Sequence, residues 1–227
     1  MDKKFEITGT TKLTCLLGNP VSHSISPAMH NASFQKLGLD YTYLAFSVDE
    51  THFERAVDGL ITLGAAGWNC TMPLKRLMYD RVDTLSDSAL LSGAVNTVVN
   101  RDGQLFGDNT DGYGFLQSMR DAGFSCEGKH AVLLGSGGAA AAILAQAALD
   151  GAAAIDVFAR SASASTRLIA EEIQRIHARC DCRIRLFDLA DSTSLRHCLD
   201  ETDVLINASS VGMAPNTDAS LIPDPAF

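Results

Sequence analysis

The sequence predicts an α/β protein of two consecutive domains, each built around a mostly parallel sheet. Three observations carry that prediction. Short apolar runs alternate with amphipathic helical stretches along the 227 residues, the pattern left by strands joined through crossover helices. An apolar strand at 131–134 runs straight into a glycine-rich turn and an alanine-rich helix. Hydrophobic residues make up 46% of the chain and charged residues 20%, too apolar a mixture for disorder.

In the first half, residues 13–17 and 41–48 read as strands. A helix begins between them near Pro27, with Ser26 as N-cap and proline at the first helical position, where a missing N–H costs nothing. Over 53–63, Phe53, Val57, Leu60 and Ile61 share one helical face. Residues 68–71 form a third short strand and 83–91 another helix. Segments 95–100 and 104–107 read as a hairpin around Arg101-Asp102-Gly103, because Asp-Gly accepts the positive φ of a tight turn.

In the second half, strands are expected at 131–134, 154–158, 183–187 and 204–207, the last three each preceded by a helical segment. The boundary falls within 111–128, along a helix at 114–122, giving domains 1–112 and 113–227.

Composition narrows the function. A net charge of −9 argues against nucleic acid, since phosphate binding needs a basic face. No apolar run approaches the roughly 18 residues of a membrane span. The N-terminal segment has no apolar core or cleavage site, so no signal peptide is expected. Of Cys15, Cys70, Cys126, Cys180, Cys182 and Cys198, only Cys180 and Cys182 lie close, and no second pair completes a zinc site. Reduced thiols, no metal and a cytoplasmic location are the expectation. His23 and His30 read as loop and helix-face residues rather than ligands.

Gly135-Ser136-Gly137-Gly138-Ala139-Ala140 fits G-x-G-x-x-G/A. The first glycine permits the tight turn, the second lets a pyrophosphate approach the backbone, and the small last residue lets helix and strand pack closely. A tight turn of this kind also occurs in α/β proteins that bind no nucleotide. The strand before it and the helix after it favour a Rossmann-like dinucleotide-binding domain, with phosphates against the helix N-terminus. For an NAD ribose the fingerprint expects an acid at the end of the second strand. Asp156 lies inside that strand, and Ala159-Arg160-Ser161 ends it. Arg160 would suit an adenosine 2′-phosphate, so NADP is favoured and NAD is the alternative. Arg160 also reads as a solvated residue stacking on adenine.

Gly18-Asn19-Pro20-Val21-Ser22-His23-Ser24-Ile25-Ser26-Pro27 is a dense turn signal before a helix. It reads as a helix cap, or as a site where the Ser24 and Ser26 hydroxyls hold a carboxylate at the helix N-terminus. Taken alone, Lys75 reads as a surface charge and Asp111 as a cap for the next helix.

Taken together, the motifs resemble the shikimate and quinate/shikimate dehydrogenases. They are Gly18-Asn19-Pro20 with His23-Ser24-Ile25-Ser26-Pro27 and His30-Asn31, Asn69-Cys70-Thr71-Met72-Pro73-Leu74-Lys75, Gly93-Ala94-Val95-Asn96-Thr97, Asn109-Thr110-Asp111-Gly112, the glycine loop, and Asn207-Ala208-Ser209-Ser210-Val211-Gly212-Met213. The resemblance runs in family order from about Leu13 to the end. It implies an N-terminal substrate domain followed by a Rossmann-like cofactor domain, in a monomer or homodimer whose partners are small molecules. It implies that Ser24 and Ser26 hold the carboxylate of shikimate or quinate, and that Thr71, Asn96 and Asp111 bind ring hydroxyls. Lys75 and Asp111 would be the catalytic pair. In reduction, hydride reaches the ketone carbon of 3-dehydroshikimate and the Lys75 ammonium protonates the developing alkoxide. In oxidation Lys75 is the base; burial favours its neutral form and a carboxylate its charged form. Gly135, Ser136, Gly137, Gly138, Ala139, Arg160, Ser209 and Asp87 fall on the cofactor side.

Two departures stand out. NADP-preferring members carry Asn-Arg-Thr and a second basic residue where this chain has Ala159-Arg160-Ser161 and Ala164, and the aspartate of NAD-preferring members is missing as well. The chain stops at Pro223-Asp224-Pro225-Ala226-Phe227, where the family continues with strands, a tyrosine, a glutamine and helices that return to the first domain. It therefore reads as C-terminally truncated. Two rivals remain. Another two-domain dehydrogenase, acting on methylenetetrahydrofolate or an amino acid, would not depend on Lys75 and Asp111. A non-catalytic paralogue would bind nucleotide or a cyclitol without turnover.

Overall fold

The computed structural model describes residues 6–222, and the chain divides between Asn109 and Thr110 into two compact units. Pro223–Phe227, on which the truncation reading turns, lie outside the described residues.

The first unit runs β1 (Lys12–Gly18), α1 (Ser26–Leu37), β2 (Tyr41–Ser47), a 3-10 turn (Glu50–His52), α2 (Phe53–Thr62), β3 (Gly67–Cys70), α3 (Lys75–Arg81), β4 (Thr84–Leu85), α4 (Asp87–Ser92), β5 (Thr97–Arg101) and β6 (Gln104–Asp108). Its sheet has the order β2-β1-β3-β5-β6-β4. Only β5 runs against its neighbours. The cause is local. Arg101 pairs with Gln104, leaving Asp102 and Gly103 as a two-residue loop with φ of 53° and 91°. Two positive φ values give the turn whose twist matches a hairpin, and a hairpin must reverse the chain.

One face of this sheet is sealed by α2, α3 and α4. Phe53, Val57 and Leu60 of α2, with Leu74, Met78 and Ala89, pack on Cys15, Leu17, Trp68, Cys70, Val98 and Leu105. Each large side chain buried there contributes about 1.5–3 kcal/mol. The Trp68 indole N–H, buried in the same cluster, donates to Met78 Sδ at 3.3 Å. On the opposite face Leu16, Val21 and Tyr43 form a smaller cluster with Phe34 of α1.

Three local expectations need correction. The helix predicted at 83–91 is a two-residue strand followed by α4. The Asp83 N–H donates to Leu105 O at 3.0 Å and its carboxylate accepts the Leu105 N–H at 2.7 Å, which draws the segment to the sheet edge. Ser86 then caps α4 by accepting from Ala89 N–H. Helix α3 was not predicted; its seven residues bury only Met78, too short a stretch to show a period. Ser26 lies in the first turn of α1 rather than at its cap, and Ser24 Oγ accepts the Ser26 N–H at 3.2 Å.

The second unit runs α5 (Asp111–Asp121), β7 (His130–Leu134), α6 (Gly138–Leu149), β8 (Ala154–Ala159), α7 (Ala164–His177), β9 (Arg183–Asp188), α8 (Ser192–Glu201) and β10 (Val204–Asn207). Its sheet is parallel throughout in the order β10-β7-β8-β9. The order reverses between β7 and β10, which is where open α/β sheets bind ligands at the strands' carboxyl ends. All six residues of β8 are buried, including Asp156. Asp156 is tolerated because Arg185 donates two hydrogen bonds to it, both 2.7 Å, and His130 Nε2 lies 2.8 Å away. A buried charge needs such partners.

Candidate substrate and nucleotide sites

Strand β1 ends at Gly18, and close packing explains why. A Cβ there would lie 2.2 Å from Thr71 Cγ2 and 3.0 Å from the Met72 carbonyl oxygen. Asn19 N–H donates to Met72 O at 3.0 Å and Thr71 N–H to Leu17 O at 2.9 Å. These contacts clamp the loop after β1 against the end of β3. Ser24, Ser26 and Thr71, all half-buried, consequently line one cavity with Leu16, Pro20, Val21, His23 and Ile25. Three hydroxyls at the head of the twelve-residue α1 make a neutral donor set, and the helix dipole favours an anion there.

Lys75 opens α3 and is half-buried, its carbonyl accepting the Val95 N–H at 2.9 Å. That bond ties Lys75 to the segment leading into Asn96. Asn96 is buried and stitched between strand ends: its N–H donates to Asp108 O at 3.0 Å, and its carbonyl accepts from Cys70 N–H at 2.8 Å. Burial pushes the Cys70 thiol up to about 12; neighbouring Cys15 adds to the rise and the Lys75 charge opposes it. Held neutral, Cys70 has no role as a nucleophile. Asp87 is the exposed first residue of α4, where an acid suits the helix dipole. Asp111 belongs to the second unit and opens α5.

Sequence reasoning did not single out a second set of polar groups, which bond to the segments around Asn96. Asn109 is buried, and its amide donates to Ser92 Oγ at 3.0 Å and Ala94 O at 3.2 Å. Asp108 Oδ1 accepts from Ser88 Oγ at 2.7 Å and from Asn109 N–H at 2.8 Å. Thr97 Oγ1 donates to Asn96 Oδ1 at 2.9 Å. Asn69 and Thr97 stand within the quoted motifs, but no property of either residue type alone marks it out.

In the second unit, Gly135 follows β7 with φ of 121°, and its N–H donates to Phe158 O at 2.8 Å. A Cβ there would meet the Ala208 carbonyl at 3.0 Å and Ser209 N at 3.2 Å. Backbone conformation and space both select glycine. The same closeness brings Ser209, after β10, against the glycine loop at the strand-order reversal. Gly137 precedes α6 in extended conformation, and no side chain caps that helix. Gly137, Gly138 and Ala139 are exposed, and a Cβ on either glycine would meet open space. An uncapped helix start beside open space is the cradle that a dinucleotide's phosphates require, so the residues present fit that cofactor.

Ser136 Oγ lies 2.9 Å from Ser165 Oγ and 3.2 Å from Thr166 Oγ1, linking the glycine loop to the start of α7. Arg160 is exposed at the end of β8, and its carbonyl accepts from Ser163 N–H and Thr166 Oγ1, so the loop carrying it is ordered. Sequence reasoning missed an acid here. Ser161 Oγ donates to Asp188, at the end of β9. The Ala190 N–H and then the Ser161 hydroxyl hold that carboxyl below the usual aspartate range. Among the described residues, no helix is long and apolar enough to cross a membrane, and no group of three or more His, Cys, Asp or Glu is placed to hold a metal.

Comparison with known proteins gives a consistent picture. The family model described as shikimate dehydrogenase substrate binding domain matches residues 16–98. The chain is 43% identical over 217 residues to shikimate dehydrogenase (NADP(+)) of Listeria monocytogenes serotype 4b (strain F2365), covering 96% of this chain and 74% of that one. It superposes with a TM-score of 0.92 on the crystal structure of shikimate 5-dehydrogenase from Listeria monocytogenes in complex with shikimate and NAD, at 43% identity, covering 96% of this chain and 75% of the other. Ligand-free 5-ketofructose reductase of Gluconobacter sp. strain CHM43 is also similar, with a TM-score of 0.79 and 34% identity, covering 94% and 74%.

Proposed function

The chain belongs to the shikimate dehydrogenase family, and we propose that it interconverts 3-dehydroshikimate and shikimate with NADP as the hydride carrier. The observation that carries this reading is the cavity where Ser24, Ser26 and Thr71 converge at the head of α1. It lies within the unit that the family's substrate-binding model matches. Neutral hydroxyl donors suit a carboxylate that must bind and leave in each turnover. We assign Ser24 and Ser26 to that carboxylate, and Thr71, Asn96 and Asp111 to ring hydroxyls. We assign the proton chemistry to Lys75 and Asp111. In reduction the Lys75 ammonium gives its proton to the oxygen of the developing alkoxide, and in oxidation the neutral amine takes it back.

When bound, the cofactor would supply the redox chemistry, NADPH giving the hydride in reduction and NADP+ accepting it in oxidation. The second unit would hold it through Gly135, Ser136, Gly137, Gly138, Ala139 and Ser209, with Arg160 toward the adenosine end; Asp87 is assigned to the same cofactor. The NADP(+) in the Listeria relative's name supports this choice over NAD, although the related crystal structure holds NAD. The six free thiols fit a reducing compartment, and we place the protein in the cytoplasm.

The Gluconobacter relative is named for a ketose, which carries no carboxylate. Ser24 and Ser26 are therefore the residues on which the cyclohexene acid assignment rests. Nicotinamide absorbance, followed with shikimate or quinate and with NADP or NAD in all four pairings, tests the proposal. Fastest turnover is expected with shikimate and NADP. Silence in all four, together with no calorimetric binding of shikimate, would overturn it.

A further inference from the structure

In the first unit, four polar side chains, Tyr43, Asn69, Thr97 and Asn96, form a continuous chain of hydrogen bonds. Asn69, on β3, places one amide atom 3.2 Å from the Asn96 carbonyl oxygen. A carbonyl only accepts, so that atom is Nδ2, and the amide of Asn69 has one orientation. Its Oδ1 therefore faces Tyr43, whose hydroxyl must donate, at 2.8 Å. The second Asn69 Nδ2 hydrogen goes to Thr97 Oγ1 at 3.0 Å. Thr97 Oγ1 in turn donates to Asn96 Oδ1 at 2.9 Å.

The far end of this chain is held rigidly. Tyr43 is buried, and Asn31 of α1 brackets its backbone, with Oδ1 accepting the Tyr43 N–H and Nδ2 donating to the Tyr43 carbonyl, both 2.9 Å. The His30 ring stacks on the Tyr43 ring with centroids 4.3 Å apart. Burial, first among its causes, raises the Tyr43 hydroxyl above its ordinary value, so it stays a donor throughout the working pH range.

We propose that this relay sets the polarity of the Asn96 amide: Oδ1 is turned inward to Thr97, so Asn96 meets a substrate ring hydroxyl as a donor. Thr97, Asn69 and Tyr43 are then positioning residues for substrate recognition. A hydroxyl that accepts from Asn96 must direct its own proton elsewhere, and a ring position bearing only a donor is rejected. The inference rests on the assignment of Asn96 to the substrate made above.

The test is calorimetric binding of shikimate and of its two analogues each lacking one non-reacting ring hydroxyl, to the 227-residue chain and its variants. One analogue is expected to bind about tenfold more weakly than shikimate, the size of one neutral hydrogen bond. Asn96→Ala should abolish that preference. Thr97→Val, which keeps the side chain's shape, should cut it to about twofold, and Thr97→Ser should rescue it. Tyr43→Phe, a milder change that decides the matter should Thr97→Val not fold, should reduce it in the same direction by about twofold. A purely structural Thr97 would weaken both ligands alike and leave the preference intact. Full preference in the folded Thr97→Val and Tyr43→Phe proteins, with its loss in Asn96→Ala, would overturn the relay alone. Preference surviving in Asn96→Ala would remove Asn96 from the substrate and the relay with it. No shikimate binding by the unsubstituted chain would overturn the proposed function itself.

Discussion

In the first unit Ser24, Ser26, Thr71 and Asn96 present hydroxyl and amide groups, with Ser24 Oγ accepting the Ser26 N–H and Asn96 Oδ1 accepting from Thr97 Oγ1. In the second, the loop after β7 presents glycines and an uncapped helix start, with hardly a functional side chain among them. The difference follows from what each would bind. A ring carrying a carboxylate and several hydroxyls is told apart from its relatives by paired donors and acceptors, and only side chains vary enough to supply them. A pyrophosphate is common to all dinucleotides, so backbone N–H groups suffice if nothing stands in front of them.

The contrast can be broken most severely at Lys75. Lys75→Ala should lower kcat by about a thousandfold, within the range for a lost acid-base group, while shikimate and NADP affinities change only a few-fold. Near-unchanged turnover would remove Lys75 from the chemistry.

The next effect belongs to the second unit's framework. Burial raises the Asp156 carboxyl, but the Arg185 and His130 hydrogen bonds outweigh it and leave Asp156 below its ordinary value. A depressed carboxyl stabilises the fold above its unfolded pKa, about 3.9, and that stabilisation is lost as pH falls through the lower folded value. Asp156→Asn should cost about 3 kcal/mol in urea unfolding at pH 7 and flatten the acid limb of the stability profile. An unaltered acid limb would show that the ion cluster contributes nothing.

Two glycines sharpen the comparison. Gly135→Ala places a Cβ 3.0 Å from the Ala208 carbonyl at a φ of 121°, and should weaken NADP binding about fiftyfold with little change for shikimate. Gly18→Ala drives a Cβ into Thr71 and should weaken shikimate about tenfold with little change for NADP. Equal losses of both ligands in either variant would mean that the two sites are not built independently.

The smallest effect is expected at Glu172 on α7, whose Oε1 is buried without a hydrogen-bond partner among the described residues. Burial raises its carboxyl well above the ordinary value, with the Arg175 charge opposing. The protonated form therefore suits the fold, and stability is lost as pH rises through that folded value. Glu172→Gln should add about 1 kcal/mol at pH 8 and nothing at pH 4. A gain of equal size at both pH values would place its origin elsewhere.

Local chemistry made part of this legible. The Asp102-Gly103 turn and the glycine loop were readable because a tight turn needs positive φ wherever it occurs. The helix over 53–63 was readable because Phe53, Val57 and Leu60 repeat at its period. The segment 83–91 misled because the Asp83 carboxylate finds Leu105, a partner 22 residues on, before a helix can start. The cap position was assigned to Ser26 but belongs to Ile25, which makes no side-chain cap bond, while Ser24 Oγ accepts the Ser26 N–H; two serines two residues apart differ only in the backbone that follows them.

The sequence by itself determined the alternation of strands and helices, the α/β class, the glycine loop and the motifs that carry the family resemblance. All of these depend on residues near one another in the chain. Only the tertiary structure decided which way the Asn69 amide faces, why Asp156 can lie buried, and that Thr71 closes on Gly18. Those properties come from pairs some 26 to 53 residues apart on neighbouring strands and loops, joined by hydrogen bonds and contacts that form only once the sheets assemble.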